Sequence, residues 1–464
     1  MKREIYEKFL KGEISRSEVL SIIKNEENSI EEIKMELSEG QKGLLAVYNM
    51  DNSDTSYNTP GAILLSKDID IEVLKKSLQY LVDFHPMLRA NIKNTESEQY
   101  QVISAENRLK VEEFNVEGLS EDDVDELIWR NIKEPFDLEN GSLIKTVIFH
   151  IKGGEKILFL NFHHIVFDGM SSEIFISDLK KTYYGLKNDG KVNLVSSKKT
   201  YKDFIKWEKN YLSSNKAKED LEYWLDTVKG GIPKLQLSTK CDYSAENETK
   251  VALINLKLPL VEKLKKLNVN MHVSLFSIMI SAYSILLSKF GKQKEVFIGT
   301  PILRRDDREF ESLIGYFINT VIVKSSIKEN VVVSDFIKSI SDIALEGFEH
   351  GNYPYYKLLR EFNNRSKRQT LELFQSSFYF QNYMQDENDS VFLKPLNKFH
   401  QLGEGNLILE VINENNGLTA RFKYNSNLYD DEIINNMLLE YKNILETFVE
   451  NDIKKLYINE VLGD

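Results

Sequence analysis

The run Leu158-Phe159-Leu160-Asn161-Phe162-His163-His164-Ile165-Val166-Phe167-Asp168-Gly169-Met170-Ser171 constrains the fold more than any other stretch of the chain. Ile157 to Phe162 is a short, uninterrupted apolar segment rich in strand formers, so it predicts a buried strand. Asp168-Gly169 is a turn signal, and Ser171 is placed to cap a following helix that buries Ile174, Phe175 and Leu179. Two imidazoles therefore sit where a strand breaks off, a place where side chains can face a cleft. Neighbouring side chains along extended chain point to opposite faces, so His163 and His164 should have different surroundings.

Three uses compete for this pair. Both rings could be hydrogen-bonded core residues. They could ligate a metal with Asp168, but side chains on opposite faces chelate poorly together, and the chain has no HExxH or Cys/His spacing. In the third use, one His is a general base or charge stabiliser and Asp168 fixes the loop. Imidazole alone has an ordinary pKa near neutrality, about 6.5, so it can both take and return a proton.

A chain of 464 residues is long for one core and predicts two lobes. Its hydrophobic fraction of 42%, with 25 Phe and 22 Tyr, is enough to fill both. A formal charge of −12, from 60 basic and 72 acidic residues, argues against nucleic acid as the main partner. The single cysteine, Cys241, forms no internal disulfide and fits a reducing cytoplasm. No signal-peptide core opens the chain. The apolar stretch Val273 to Phe290 carries five serines, so it reads as a buried helix ended by Gly291 rather than a membrane span.

Residues 1–36 read as a charged helical preface. Ile5 and Phe9 pair at i, i+4 in one short helix, and a second starts at the capping box Ser15-Arg16-Ser17-Glu18. From Leu37 onward, motifs follow in order: Leu37-Ser38-Glu39-Gly40-Gln41-Lys42-Gly43-Leu44, then Tyr57-Asn58-Thr59-Pro60, then an amphipathic helix Val73 to Phe84 leading to His85-Pro86-Met87-Leu88-Arg89. After the His-His stretch come Tyr201 to Trp207, a helix Lys216 to Lys229, and a strand Val296 to Pro301. Ile314-Gly315-Tyr316-Phe317-Ile318-Asn319-Thr320, His350 to Pro354, Leu373-Phe374-Gln375 and Phe422 to Tyr429 complete the series. Strands alternating with amphipathic helices in both halves predict an α/β architecture. Gly403-Glu404-Gly405 is only a fragment of a dinucleotide fingerprint and reads as a turn.

This ordered set, centred on His-His-x-x-x-Asp-Gly at His163 to Gly169, resembles the condensation domains of nonribosomal peptide synthetases, within the chloramphenicol acetyltransferase-like acyltransferase superfamily. The resemblance implies two similar lobes, 37–215 and 216–464, in a V-shaped pseudo-dimer with a tunnel between them. It implies a cytoplasmic enzyme that joins acyl or aminoacyl thioesters held on 4'-phosphopantetheine arms, binding no cofactor, metal, nucleic acid or membrane itself. The implied partners are donor and acceptor carrier proteins and neighbouring synthetase modules, and the N-terminal helices resemble the linkers of such assemblies. Three further activities stay open: an acyltransferase using a soluble thioester such as coenzyme A, an epimerisation-type domain, and a noncatalytic carrier-docking member.

By the same resemblance His164 faces the tunnel, either as general base or to orient the amine. Gly169 either lets backbone approach the reacting centre, its amide facing the oxyanion, or is a plain turn glycine. His163 and Asp168 are structural, with Arg305 as the expected cationic partner of Asp168 and Arg89 as the second choice. Three positions depart from the family pattern: Pro86 for an acidic residue, Met170 for a frequent Trp, and Arg304 where Gly is common.

Overall fold

The computed structural model describes residues 32–95, 97–105, 108–232, 235, 237, 249–367, 369–381, 389–402, 405–414 and 417–463. The helices expected within 1–31, Cys241 and the Gly403-Glu404 part of the glycine-rich fragment lie outside the described residues. In chain order the strands are β1 (Ile33–Glu36), β2 (Asn58–Leu65), β3 (Ala90–Asn94), β4 (Gln99–Ile103), β5 (Val111–Asn115), β6 (Ile144–His150), β7 (Lys156–His163), β8 (Thr249–Lys257), β9 (Glu295–Leu303), β10 (Ile318–Ser326), β11 (Ser376–Gln381), β12 (Phe392–Pro395), β13 (Leu407–Glu414) and β14 (Gly417–Asn425). The α-helices are α1 (Glu39–Tyr48), α2 (Ile71–Phe84), α3 (Glu121–Ile132), α4 (Gly169–Asn188), α5 (Tyr201–Leu212), α6 (Asn215–Thr227), α7 (Leu258–Met271), α8 (Leu275–Gly291), α9 (Val333–Glu349), α10 (Tyr355–Ser366), α11 (Asp431–Glu450) and α12 (Ile458–Leu462).

Three sheets organise these elements: β1-β4-β3, β12-β2-β7-β6-β5 and β10-β9-β11-β13-β14-β8. In the second sheet β7 lies between β2 and β6, antiparallel to both. Every residue of β7 after Lys156 is buried, as a continuous apolar run on a central strand requires. In the third sheet β14 alternates strictly. Leu418, Ala420, Phe422 and Tyr424 enter the large core with α8 and α11, and Thr419, Arg421 and Lys423 take the opposite face.

Two features of this frame differ from the sequence reading. Ile33–Glu36, placed with the helical preface, is a strand paired with β4 from Ile33↔Ile103 to Glu36↔Tyr100; tertiary pairing overrides a helix-compatible pattern. The strand β12 lies beyond residue 215, yet it joins the first-half sheet along β2. Ser214, beside the line drawn at 215/216, caps α6.

The apolar stretch after Val273 becomes α8, buried over nearly all its length. Two of its hydroxyls return to the helix's own carbonyls, Ser281 to Ser277 and Ser284 to Ile280 at 2.6 and 2.9 Å, so they enter the core satisfied. Gly291 is its last residue rather than its left-handed cap; that conformation falls on Lys292 at φ 48°. A Cβ on Gly291 would stand 2.9 Å from the Cδ1 tip of Leu235, so the glycine sits in close packing with that side chain. Among the described residues no single helix is long and apolar enough to cross a membrane.

Candidate active site

The His-His loop hangs from the end of β7 and is tied to both flanking strands. The N–H of His163 donates to Leu143 O at 3.0 Å, just before β6, and that of His164 to Tyr57 O at 2.9 Å, just before β2. A short 3₁₀ turn, His164–Val166, then leads into α4.

The two rings diverge. His163 enters the fold, 4% exposed. Its Nδ1 accepts the Ile165 N–H at 3.1 Å, with Tyr48 and Phe136 edge-on at 6.5 and 6.0 Å. Burial, and after it the neighbouring His164, push its pKa down to about 3, so it stays neutral at physiological pH. His164 packs edge-on against Tyr316 at 5.2 Å, and its Nδ1 lies 2.6 Å from Phe167 O. A carbonyl oxygen only accepts, so Nδ1 carries the proton and Nε2 is the lone-pair nitrogen of the neutral ring.

Asp168, and not Ser171, caps α4. Its Oδ1 accepts the Ser171 N–H and the Ser171 hydroxyl, both at 2.7 Å. Arg305 Nη2 reaches Oδ1 and Oδ2 at 2.9 and 3.1 Å, and the Phe317 N–H donates to Oδ2 at 3.1 Å. Asp168 and Arg305 are 1% and 8% exposed, a buried pair with its lone pairs satisfied. On the guanidinium, Nη1 donates to Phe310 O and Leu313 O at 2.6 Å, and Cζ lies 3.9 Å from the centre of the Phe317 ring. The hydroxyl of Ser171 also accepts the Gly315 N–H at 3.1 Å, so the site loop is bonded to the second half of the chain at several atoms.

Arg89 does not take part. It donates to Val82 O, Asp83 O and Ser104 O, holding the C-terminal end of α2. Gly169 is the first residue of α4, so its N–H lies in the first turn, outside the helical ladder.

Sequence reasoning singled out motifs without seeing what they hold. Gln41, fully buried, donates Nε2 to Ile165 O at 2.9 Å and pairs with Gln101, so the first motif braces the His-His loop. Gly40 and Gly315 make room for rings: a Cβ on Gly40 would stand 2.7 Å from Tyr316, and one on Gly315 2.6 Å from Tyr201. The Tyr201 hydroxyl in turn donates to Tyr316 O at 2.7 Å. Arg304 is buried and pairs with Glu208 at 2.7 Å, over the rings of Phe204 and Trp207. Glu208 was legible: Tyr201, Phe204, Ile205 and Glu208 share the buried face of α5, a carboxylate where the period calls for an apolar residue. Asn319 likewise bonds Gly351 O and Tyr353 O, both at 2.7 Å, joining two motifs.

Comparison with known proteins gives the same frame a family. A model of the condensation domain matches residues 31–458. Polyketide synthase PksN of Bacillus subtilis (strain 168) is 30% identical over 430 residues, 90% of this chain and 8% of that protein. Bacitracin synthase 3 of Bacillus licheniformis is 27% identical over 417 residues, 88% of this chain and 6% of that protein. The chain thus spans less than a tenth of these curated relatives. Two solved structures share the fold: the first condensation domain of the calcium-dependent antibiotic synthetase, bound to a substrate analogue (TM-score 0.78, 16% identity, 91% of this chain and 98% of that one), and the condensation domain from Monacolin K polyketide synthase MokA (TM-score 0.78, 18% identity, 92% and 99%). The chain belongs to the condensation domain family.

Proposed function

We propose that this chain joins two thioester substrates, each on the 4'-phosphopantetheine arm of a carrier protein, into an amide, within a nonribosomal peptide or hybrid polyketide–peptide synthase. The observation that carries the reading is the 2.6 Å contact between His164 Nδ1 and Phe167 O. With Nδ1–H held by Phe167 O, Nε2 is the basic atom. The acceptor amine attacks the donor's thioester carbon, and Nε2 orients that amine and takes its proton. The tetrahedral oxyanion then collapses, the C–S bond breaks, and the departing thiolate of the donor arm receives a proton. The thioester is already activated, so no covalent enzyme intermediate is needed.

Gly169 supports the oxyanion from the positive end of α4, whose first-turn amides sit beside the loop. His163, Asp168 and Arg305 hold the loop without touching substrate. The two lobes, divided near 215/216, form the walls of a tunnel through which the arms enter from opposite mouths. The contacts of Asp168 and Ser171 with Arg305, Gly315 and Phe317 support a site built from both halves. The same reading makes the enzyme cytoplasmic, with carrier domains and neighbouring modules as partners.

Carrier docking raises the effective concentration of the thioesters, so the chain itself has no need to bind free substrates tightly. Its formal charge of −12 gives it little general attraction for anionic coenzyme A. Product should form from carrier-loaded donor and acceptor, and far more slowly from coenzyme A thioesters at matched concentration. Equal efficiency with the free thioester would replace this reading with a soluble-thioester acyltransferase.

A further inference from the structure

The face of β14 turned away from the helical core carries charges that the reaction does not use. Glu410 on β13 stands directly across from Arg421, and both are buried, with Lys423 two residues further along. Arg421 spends its guanidinium on neighbours: Nε reaches Glu410 Oε2 at 2.7 Å, Nη2 reaches the same oxygen, and Nη1 donates to Asn397 O at 3.2 Å. Lys423 is 6% exposed. Among the described residues its ion-pair partner is Glu410, at 3.4 Å and on the oxygen that Arg421 already occupies. His400, near these groups, adds no charge at neutral pH: burial first, then Lys423 and Arg421, hold its pKa at about 4. Two buried cations therefore share one carboxylate, and a buried charge without a partner is costly. An ammonium has three donors, so Lys423 keeps capacity for an anion that the described chain does not supply.

The placement of this surplus says what could reach it. Strand pairing runs the row of Lys423 through Ile408 and Ser377 to Gly299, all on one face. Gly299 lies on β9, whose end leads into Arg304 and Arg305, and three strand spacings of about 4.8 Å separate β9 from β14. At the other edge, Leu253, across from Arg421 on β8, is 57% exposed, so the face opens to solvent there. Lys423 thus lies on a wall that opens at its β8 edge and is covered at Gly299 by the Phe374 ring.

We propose that this wall binds a carboxylate carried by the acyl part of one thioester substrate, with Lys423 as the recognising cation and Arg421–Glu410 as its rigid surround. The proposal rests on the condensation reading and assigns it a substrate class. A phosphate is the other anion such substrates bear. It is fixed to the carrier protein and stays at the carrier's surface, whereas the acyl end travels inward, and the burial of Lys423 favours the acyl end.

The test measures kcat/KM for carrier-bound aspartyl against asparaginyl acceptors, and for succinyl against succinamoyl donors. Wild type should favour the carboxylate by about 10- to 100-fold at one of the two positions, the worth of one charged hydrogen bond. Lys423→Met should bring that ratio near one, and Lys423→Arg should retain most of it, with melting temperatures recorded for both. No preference at either position, or a preference that survives in Lys423→Met, overturns the proposal. If Lys423→Met slows all carrier-bound substrates alike yet spares phosphate-free N-acetylcysteamine thioesters, the cation reads the phosphate and the carboxylate assignment is wrong. Product from the neutral substrates with no carboxylate preference removes this proposal alone; no product from any carrier-bound pair removes the condensation reading with it.

Discussion

His163 and His164 are adjacent in sequence, both are buried, and their Nδ1 atoms have opposite roles: that of His163 accepts the Ile165 N–H, and that of His164 donates to Phe167 O. The His163 ring is held neutral, its pKa pushed from the ordinary 6.5 down to about 3. Below pH 6.5 the unfolded chain gains a proton there that the folded chain refuses. Stability is therefore complete above about pH 6.5 and falls by up to about 1.4 kcal/mol per pH unit as pH drops toward 3. His163→Asn keeps an acceptor for the Ile165 N–H but cannot titrate, so its urea midpoint should fall less steeply between pH 6.5 and 4 than that of wild type. Equal slopes would show that His163 does not contribute. At Asp168 and Arg305 the charge is paired instead. Asp168→Asn and Arg305→Met should each lose about 3–5 kcal/mol, because each strands a buried charge or its donors. The double variant should lose less than the sum; strict additivity in the cycle would mean that the two groups are not coupled.

At the scale of elements, what could be read from the chain depended on whether a local signal had a tertiary competitor. β7 had none: an apolar run on a central strand reads the same in sequence and structure. The start of α4 had two cap-competent residues, and choosing Ser171 over Asp168 missed that the carboxylate expected to pair with Arg305 also accepts the Ser171 N–H. Ile33–Glu36 reads as the tail of a helix because its partner strand is more than sixty residues away. The links through Gln41 and Asn319 were hidden for a different reason: each is a polar residue inside a motif whose partner lies elsewhere in the chain. Gly40 gives this scale its prediction. In Gly40→Ala the Tyr316 ring, 2.7 Å from the new Cβ, must shift, and that ring packs on His164. Alanine improves helix propensity by about 1 kcal/mol, which offsets part of the strain. Condensation should fall about tenfold or more through misplacement of the site while melting changes little. Full activity would mean that Tyr316 does not position His164.

Over the whole molecule, the chain crosses between its halves twice, once at the site itself. β12 from the second half closes the first-half sheet, and the loop 305–317 from the second half grips Asp168 and Ser171. A histidine from one half is thus set against a tyrosine from the other. The central claim is that this histidine handles the proton and orients the amine when carrier-bound donor and acceptor meet. Mass spectrometry of carrier-bound product measures it most directly, comparing wild type with His164→Ala at equal melting temperature. Loss of turnover by about 10² to 10⁴ is the predicted result; near-normal turnover by a folded His164→Ala protein would contradict the account.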